Sequence, residues 1–347
     1  MTVTGIVQNN RQPYFDFLRG IGALMVVSLH LYGYMYNCSN LSLFFIFIRE
    51  IYQAAVPIFC VSSAYFLINK NIETKEMYFK FLKRQVMKVF LPMLFFSIPY
   101  FLIDIRNGGL LYKSIIELVT GSYSIYYFVP LIIQFYVLLP LFQKSKVIRN
   151  PILGIFVSVF WSFIYVYLIR RECGALPLIV YGAPIYVEYA SFTIGSSVRR
   201  DEIRIRFWLI VILSIIFLIL SILESYYLIK SENSMTGLGV KPTSVIFCSL
   251  FTLLLYHKNM SEKYKRSRFS FIFEMIGKYS FGIYLSHLLV NLCIMKLINP
   301  TRFFSSSHLP AFIIWQAYSL LILFISFLFL FISKKFFPKL SKIFLGV

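Results

Sequence analysis

Apolar residues in this chain fall in blocks of roughly twenty, the length an α-helix needs to cross a ~30 Å hydrocarbon core. The blocks run over about 17–36, 43–68, 86–104, 124–142, 151–169, 177–197, 207–229, 242–257, 279–299 and 310–333. The longest polar gap between them is about twenty residues, too short for a soluble domain. The pattern predicts an all-α polytopic integral membrane protein of about ten transmembrane helices, one membrane-embedded domain over 1–347. Two pairs of blocks have short gaps, which leaves nine or eleven spans as alternatives. No internal repeat and no low-complexity linker interrupts the series.

Composition agrees. The chain is 59% hydrophobic and 14% charged, with a mean hydropathy of +0.76, against about half apolar and one quarter charged in soluble domains. Aromatic residues reach 19%, an excess that lipid and its interfaces accommodate. The first ten residues carry no basic segment, and the first apolar run contains Asp16 and Arg19 and lacks a small-residue cleavage site. The first helix is therefore expected to remain in the mature protein.

The net charge of +20 lies in the gaps, which makes it a topology signal and argues against a nucleic-acid partner. Alternate gaps share the Lys and Arg residues unequally: the N-terminal arm, 69–88, 143–150, 199–206, 257–278 and the C-terminal tail hold 24, and the other gaps hold 9. That bias places the N- and C-termini in the cytoplasm. Of the five cysteines, Cys60, Cys248 and Cys293 lie in apolar blocks and read as packing residues. Cys38 and Cys173 fall in outward gaps, where a disulfide is one alternative. No metal-ligand spacing is present.

The first block carries the most chemistry. At ~100° per residue, Asp16, Arg19 and His30 share one helical stripe, with His30 roughly 16 Å along the axis from Arg19. Asp16 and Arg19 can pair, whereas His30 has no partner on its own helix. An ionisable group at that depth costs several kcal/mol unless it meets protein or water (order of magnitude). His30 is either a neutral imidazole bonded across the bundle or a general base in a polar cavity. The ninth block sets Ser280, Tyr284, His287 and Asn291 on one face, for interhelical hydrogen bonding or for the same cavity. In the second block, Pro57 should kink the helix, and Cys60, Ser62, Ser63 and Ala64 permit close packing. The gap at 69–88 holds Lys80, Lys83, Arg84 and Lys88, a positive-inside signal or a cradle for a phosphorylated ligand. Phosphate-loop, GxSxG and HExxH motifs are absent. Acid–base work falls to four histidines, of which His257 and His308 lie in or beside gaps.

Taken in order, these pieces resemble the membrane-bound acyltransferase type 3 family, which modifies bacterial surface glycans. The similarity runs from Tyr14 to about Leu297. It rests on Asp16-Phe17-Leu18-Arg19, ten residues and His30; on Pro57 to Phe66; on Lys83 to Pro92; on Tyr127 to Pro140; and on Gly277-Lys278-Tyr279-Ser280 with Tyr284-Leu285 and His287. Four positions depart from the family pattern. Ala64 stands where glycine is usual, Lys88 stands where arginine is, and Phe128 and Pro130 occupy a Trp-Phe neighbourhood.

The resemblance implies a multi-pass protein of the bacterial inner membrane. Its donor would be acyl-coenzyme A, commonly acetyl-CoA, as co-substrate, with no permanently bound cofactor and no metal. Its acceptor would be a glycan or lipid-linked glycan, with O-antigen, capsule and exopolysaccharide as candidates. His30 corresponds to the catalytic histidine, with Asp16, Arg19, His287 and Tyr284 in the catalytic set. Lys83, Arg84, Lys88 and Ser63 take donor-binding positions. The rival reading is a non-enzymatic polysaccharide or lipid-linked glycan exporter or flippase; a glycan polymerase would need a longer outer loop. Oligomeric state is not legible, because lipid-facing and partner-facing apolar surfaces look alike.

Overall fold

The computed structural model describes residues 12–36, 43–123, 125–174, 176–232, 240–297 and 308–347. Among them there are only helices. In chain order these are α1 (Pro13–Tyr36), α2 (Leu43–Tyr52), α3 (Ala55–Leu67), α4 (Lys75–Arg106), α5 (Leu111–Thr120), α6 (Phe128–Lys144) and α7 (Pro151–Phe163). A π-helical stretch, Ile164–Ile169, joins α7 to α8 (Arg170–Cys173). Then follow α9 (Leu178–Tyr181), α10 (Tyr189–Arg199), α11 (Phe207–Glu232), α12 (Pro242–Leu255), α13 (Lys258–Glu262) and α14 (Arg268–Gly277). The last three are α15 (Ser280–Leu297), α16 (His308–Phe336) and α17 (Pro338–Phe344).

Among the described residues, seven helical segments are long and apolar enough to cross a membrane by themselves, and α6 and α12 are shorter apolar helices. Their outer surfaces are greasy: α11 exposes Trp208, Ile212, Ile219 and Leu223, which in water would be an error and in lipid is the expected face. The chain is an all-α polytopic membrane protein.

Two expected spans are interrupted. Block 43–68 breaks into α2 and α3 at Gln53–Ala54. Pro57 explains the position, because its ring clashes with the carbonyl four residues earlier, that of Gln53. Block 177–197 is not one helix: after α9 the chain runs irregularly over 182–188 before α10 begins. Irregular backbone at membrane depth requires substitute partners. Gln134 supplies them, donating to the Ala183 carbonyl at 2.8 Å and accepting from the Ile185 amide at 3.1 Å. Ser158 does the same, donating to the Tyr186 carbonyl at 2.9 Å and accepting from the Ala190 amide at 3.1 Å.

Described residues from the six Lys- and Arg-rich gaps meet on one face. Arg149 of the third pairs with Glu202 of the fourth at 2.6 Å, and Gln143 donates to the Lys70 carbonyl at 2.8 Å. The Tyr14 ring lies 5.1 Å from that of Tyr264, and α17 seats on α4. The opposite side is tied by a fully buried ion pair, Glu50–Lys241 at 2.6 Å, in which Ser221 and Ser225 also donate to Glu50.

Two glycines fix α1 against α14. A Cβ at Gly277 would overlap the Asp16 carbonyl, and one at Gly20 would overlap the Phe273 carbonyl. Close approach of backbone is how helices in lipid gain contact area. The α3–α10 seam uses the same device. Ala64 stands where a glycine was expected on α3, and the space is provided from the other side by Gly195, whose Cβ would overlap the Val61 carbonyl.

Candidate active site

Helices α1 and α3 pack together inside the bundle, and two cavities lie along their seam. The first, about 250 Å³, is lined by Asp16, Arg19, Ser63, Lys278, Ser280 and Tyr284 among others. The second, about 230 Å³, is lined by His30, Arg49, Gln53, Tyr127, Tyr181 and Glu188 among others. Both are walled by Val26 of α1 and Val56 of α3. One is a chamber with Arg19 and Lys278, the other a chamber with His30, and they adjoin at this valine neck.

The Asp16–Arg19 pair forms as the spacing predicted, at 3.5 Å, and the Arg19 guanidinium also stacks over Phe66 at 5.1 Å. Asp16 is held by the α1–α14 contact, so the pair fixes Arg19 toward the first cavity. Lys278 adds a second cation to the lining, and Ser63 adds a hydroxyl.

His30 meets its partner across the bundle. Its ring lies 5.5 Å, centroid to centroid, from that of His287 on α15. His287 is completely buried. Its Nδ1 sits 3.0 Å from the Ile283 carbonyl, and a carbonyl only accepts, so Nδ1 carries the proton. In the neutral ring Nε2 is then an acceptor, and it has no hydrogen-bond partner among the described residues. Such a buried, unmatched acceptor is uncommon and calls for an explanation.

The predicted polar face of α15 does several things. Ser280 and Tyr284 line the first cavity, His287 faces His30, and Asn291 accepts from the Tyr318 hydroxyl at 2.7 Å. The Tyr284 hydroxyl donates to the Ile125 carbonyl, so its proton is engaged there. Lys83, Arg84 and Lys88 are exposed on α4 and are not part of either cavity lining. Their neighbour Val89 is in the wall of the first.

Arg49 and Glu188 are site residues that the sequence reading passed over. Arg49 was counted with a gap, although it lies on α2 and stacks over Tyr32 at 5.4 Å. Glu188 sits where the broken span re-enters helix, and accepts from the Ser191 hydroxyl at 2.6 Å. The available signal was a charge inside each apolar block, which costs free energy unless it faces a wet or paired environment. Tyr181, stacked on Tyr165 at 4.4 Å, completes an aromatic side of the same chamber.

Among the described residues no group of three or more His, Cys, Asp or Glu is placed to hold a metal. Cys60 and Cys248 are buried, whereas Cys293, expected as a packing residue, is exposed on α15. Cys173 is a free exposed thiol, and Cys38, its conceivable partner, lies outside the described residues. His257 has an ordinary role, accepting from the Asn259 amide at the start of α13.

No curated protein and no solved structure matches the chain. A family model does: the one described as an acyltransferase domain, of type 3, covers residues 12–343. With that match over nearly the whole length of a polytopic helical bundle, the chain belongs to the type 3 acyltransferase family and is a membrane acyltransferase.

Proposed function

We propose that this protein transfers an acyl group, acetyl, from acyl-coenzyme A to a hydroxyl of a cell-surface polysaccharide or its lipid-linked precursor. It would do so in the bacterial cytoplasmic membrane, across about ten spans, with both termini in the cytoplasm. The observation that carries this reading is the adjoining of the two chambers at Val26 and Val56, with Arg19 and Lys278 in one and His30 in the other. Cations suit the phosphate-bearing donor, and the face that gathers most of the Lys and Arg is the one expected inside. A slender thioester arm can lie along the seam, whereas the bulky nucleotide stays outside the neck.

His30 takes the proton from the acceptor hydroxyl as its oxygen attacks the thioester carbonyl. The C–S bond then breaks, and the proton held by His30 passes to the leaving thiolate. The products are the ester and the free thiol of the coenzyme. Arg49, in the same chamber, supplies positive charge where the oxyanion develops. Glu188, Tyr127 and Tyr181 give that chamber the acceptors and ring faces that a sugar needs.

The test is transfer of radiolabelled acetyl from acetyl-CoA to surface glycan in membranes carrying wild type or His30→Ala, inserted to equal levels. The reading expects labelled glycan from the wild type and none from the variant. Equal labelling by both would sink it, and failure of wild type to bind acetyl-CoA would overturn the donor assignment.

A further inference from the structure

Helix α9 and the irregular segment 182–188 have a cavity on each side. Tyr181, Val187 and Glu188 line the His30 chamber. Ile179, Ala183 and Pro184, interleaved with them, line a different cavity of about 360 Å³. The chain entering α6 divides in the same way: Tyr127 lines the His30 chamber, whereas Pro130 and Ile133 line the other cavity. The wall between the two is thus one thickness of chain. At Gly182 it is little more than backbone, since a Cβ there would stand 3.2 Å from the Tyr127 ring.

The second cavity is a groove in the flank of the bundle. Val119 of α5 is part of its lining and is 49% exposed, so the groove opens sideways. The helix that carries Val119 also exposes Leu111, Tyr112, Ile115 and Ile116, an apolar surface suited to the bilayer interface on the side expected outside. The two polar side chains of the lining are engaged within the protein. Gln134 donates to the Pro130 and Ala183 carbonyls and accepts from the Ile185 amide. Thr120 donates to the Ile116 carbonyl at 2.7 Å. A groove of that kind is matched by hydrocarbon and penalises a polar occupant.

Its wall says which hydrocarbon. To seal a bundle against ordinary bilayer chains, a straight helix suffices. Irregular backbone at membrane depth is tolerated where it lines a cavity and finds substitute partners, and here Gln134 and Ser158 provide them. The result sets a lipid-facing groove and the proposed acceptor chamber back to back. The larger apolar crevice of about 560 Å³ at Phe95 and Ile325, between α4, α15 and α16, shares no lining residue with the His30 chamber.

We infer that the groove beside α5, α6 and α9 holds the isoprenoid chain of a lipid-linked glycan whose sugar enters the His30 chamber. This rests on the acyl transfer proposed above and narrows its acceptor to the membrane-anchored precursor, in place of the finished polysaccharide.

The experiment exposes the full chain, in nanodiscs of phosphatidylcholine, to polyprenyl phosphate with a photoreactive diazirine in its chain. Cross-links are expected in α5, the start of α6 and 179–184. Ile133→Trp fills the groove from a regular helix and should cut them about tenfold. Val119→Trp, at the exposed rim, should do the same with no buried site to disturb. Ile325→Trp, in the other crevice, should leave them unchanged. Cross-links that survive both groove variants overturn the inference, and so does equally strong labelling of the same peptides by diazirine phosphatidylcholine. A second arm follows radiolabelled acetyl in membranes, where it should appear in the solvent-extractable lipid-linked fraction before the polymer. Label confined to polymer overturns the narrowed acceptor while acetyl transfer stands. No labelled glycan of either kind contradicts the proposed function instead, and the cross-links still decide the groove.

Discussion

The imidazoles of His30 and His287 lie 5.5 Å apart across the α1–α15 interface, inclined at 38°. One is a predicted base; the other has its Nδ1 proton committed to the Ile283 carbonyl, and its Nε2 is an acceptor with no hydrogen-bond partner among the described residues. A base needs a fixed tautomer as well as a suitable position. The unmatched acceptor of His287 is available to a proton on His30, and a neutral His287 bonded to Ile283 cannot also donate to an oxyanion. His287→Gln keeps most of the volume and removes the imidazole. It is expected to slow acetyl transfer by about 10²-fold, within the range typical of acid–base assistance, while affinity for coenzyme A stays unchanged. Transfer at the wild-type rate, measured in membranes with equal protein, contradicts the role.

The buried pair Glu50–Lys241 makes a stability prediction with a characteristic sign. Both side chains are fully shielded from solvent. Removing one partner strands the other charge, at a cost of about 3–5 kcal/mol, whereas removing both is far cheaper. Thermal unfolding in detergent should therefore show Lys241→Met less stable than the double variant with Glu50→Leu. If the two losses simply add, the pair is not an isolated unit.

How much of this was visible beforehand divides along physical lines. Hydropathy blocks locate helices because burial in lipid demands long apolar runs, and each block is mostly helix over its described residues, though 43–68 and 177–197 are interrupted. The Arg19 and His30 stripe was legible because both residues sit on one regular helix. The break at 182–188 was not, because its compensation comes from Gln134 and Ser158, far away in the chain.

Gln134 offers a direct check on that break. Its amide serves both Ala183 and Ile185. Gln134→Leu leaves two backbone groups unmatched, at about 1–3 kcal/mol each. The expected result is a lower melting temperature and slower transfer, with coenzyme A affinity retained. Unaltered melting would mean that the irregular segment has other support.

Acid sensitivity should arise in part from Glu202. Its hydrogen bonds from Arg149 hold the carboxyl below its ordinary value. The pair therefore stabilises the fold fully above the usual glutamate range, and that contribution fades as pH falls through the lowered folded-state value. Glu202→Gln removes the titration. Melting temperature against pH should then decline less steeply on the acid side than in wild type; parallel curves contradict the assignment.

The central claim is that the acyl group reaches His30 through the neck between the two chambers. Val26, 4% exposed and shared by both linings, is the residue to fill. The decisive measurement is acetyl transfer by Val26→Phe alongside its affinity for coenzyme A. The account predicts that affinity stays near wild type while transfer is lost. Transfer at the wild-type rate through a filled neck would contradict it.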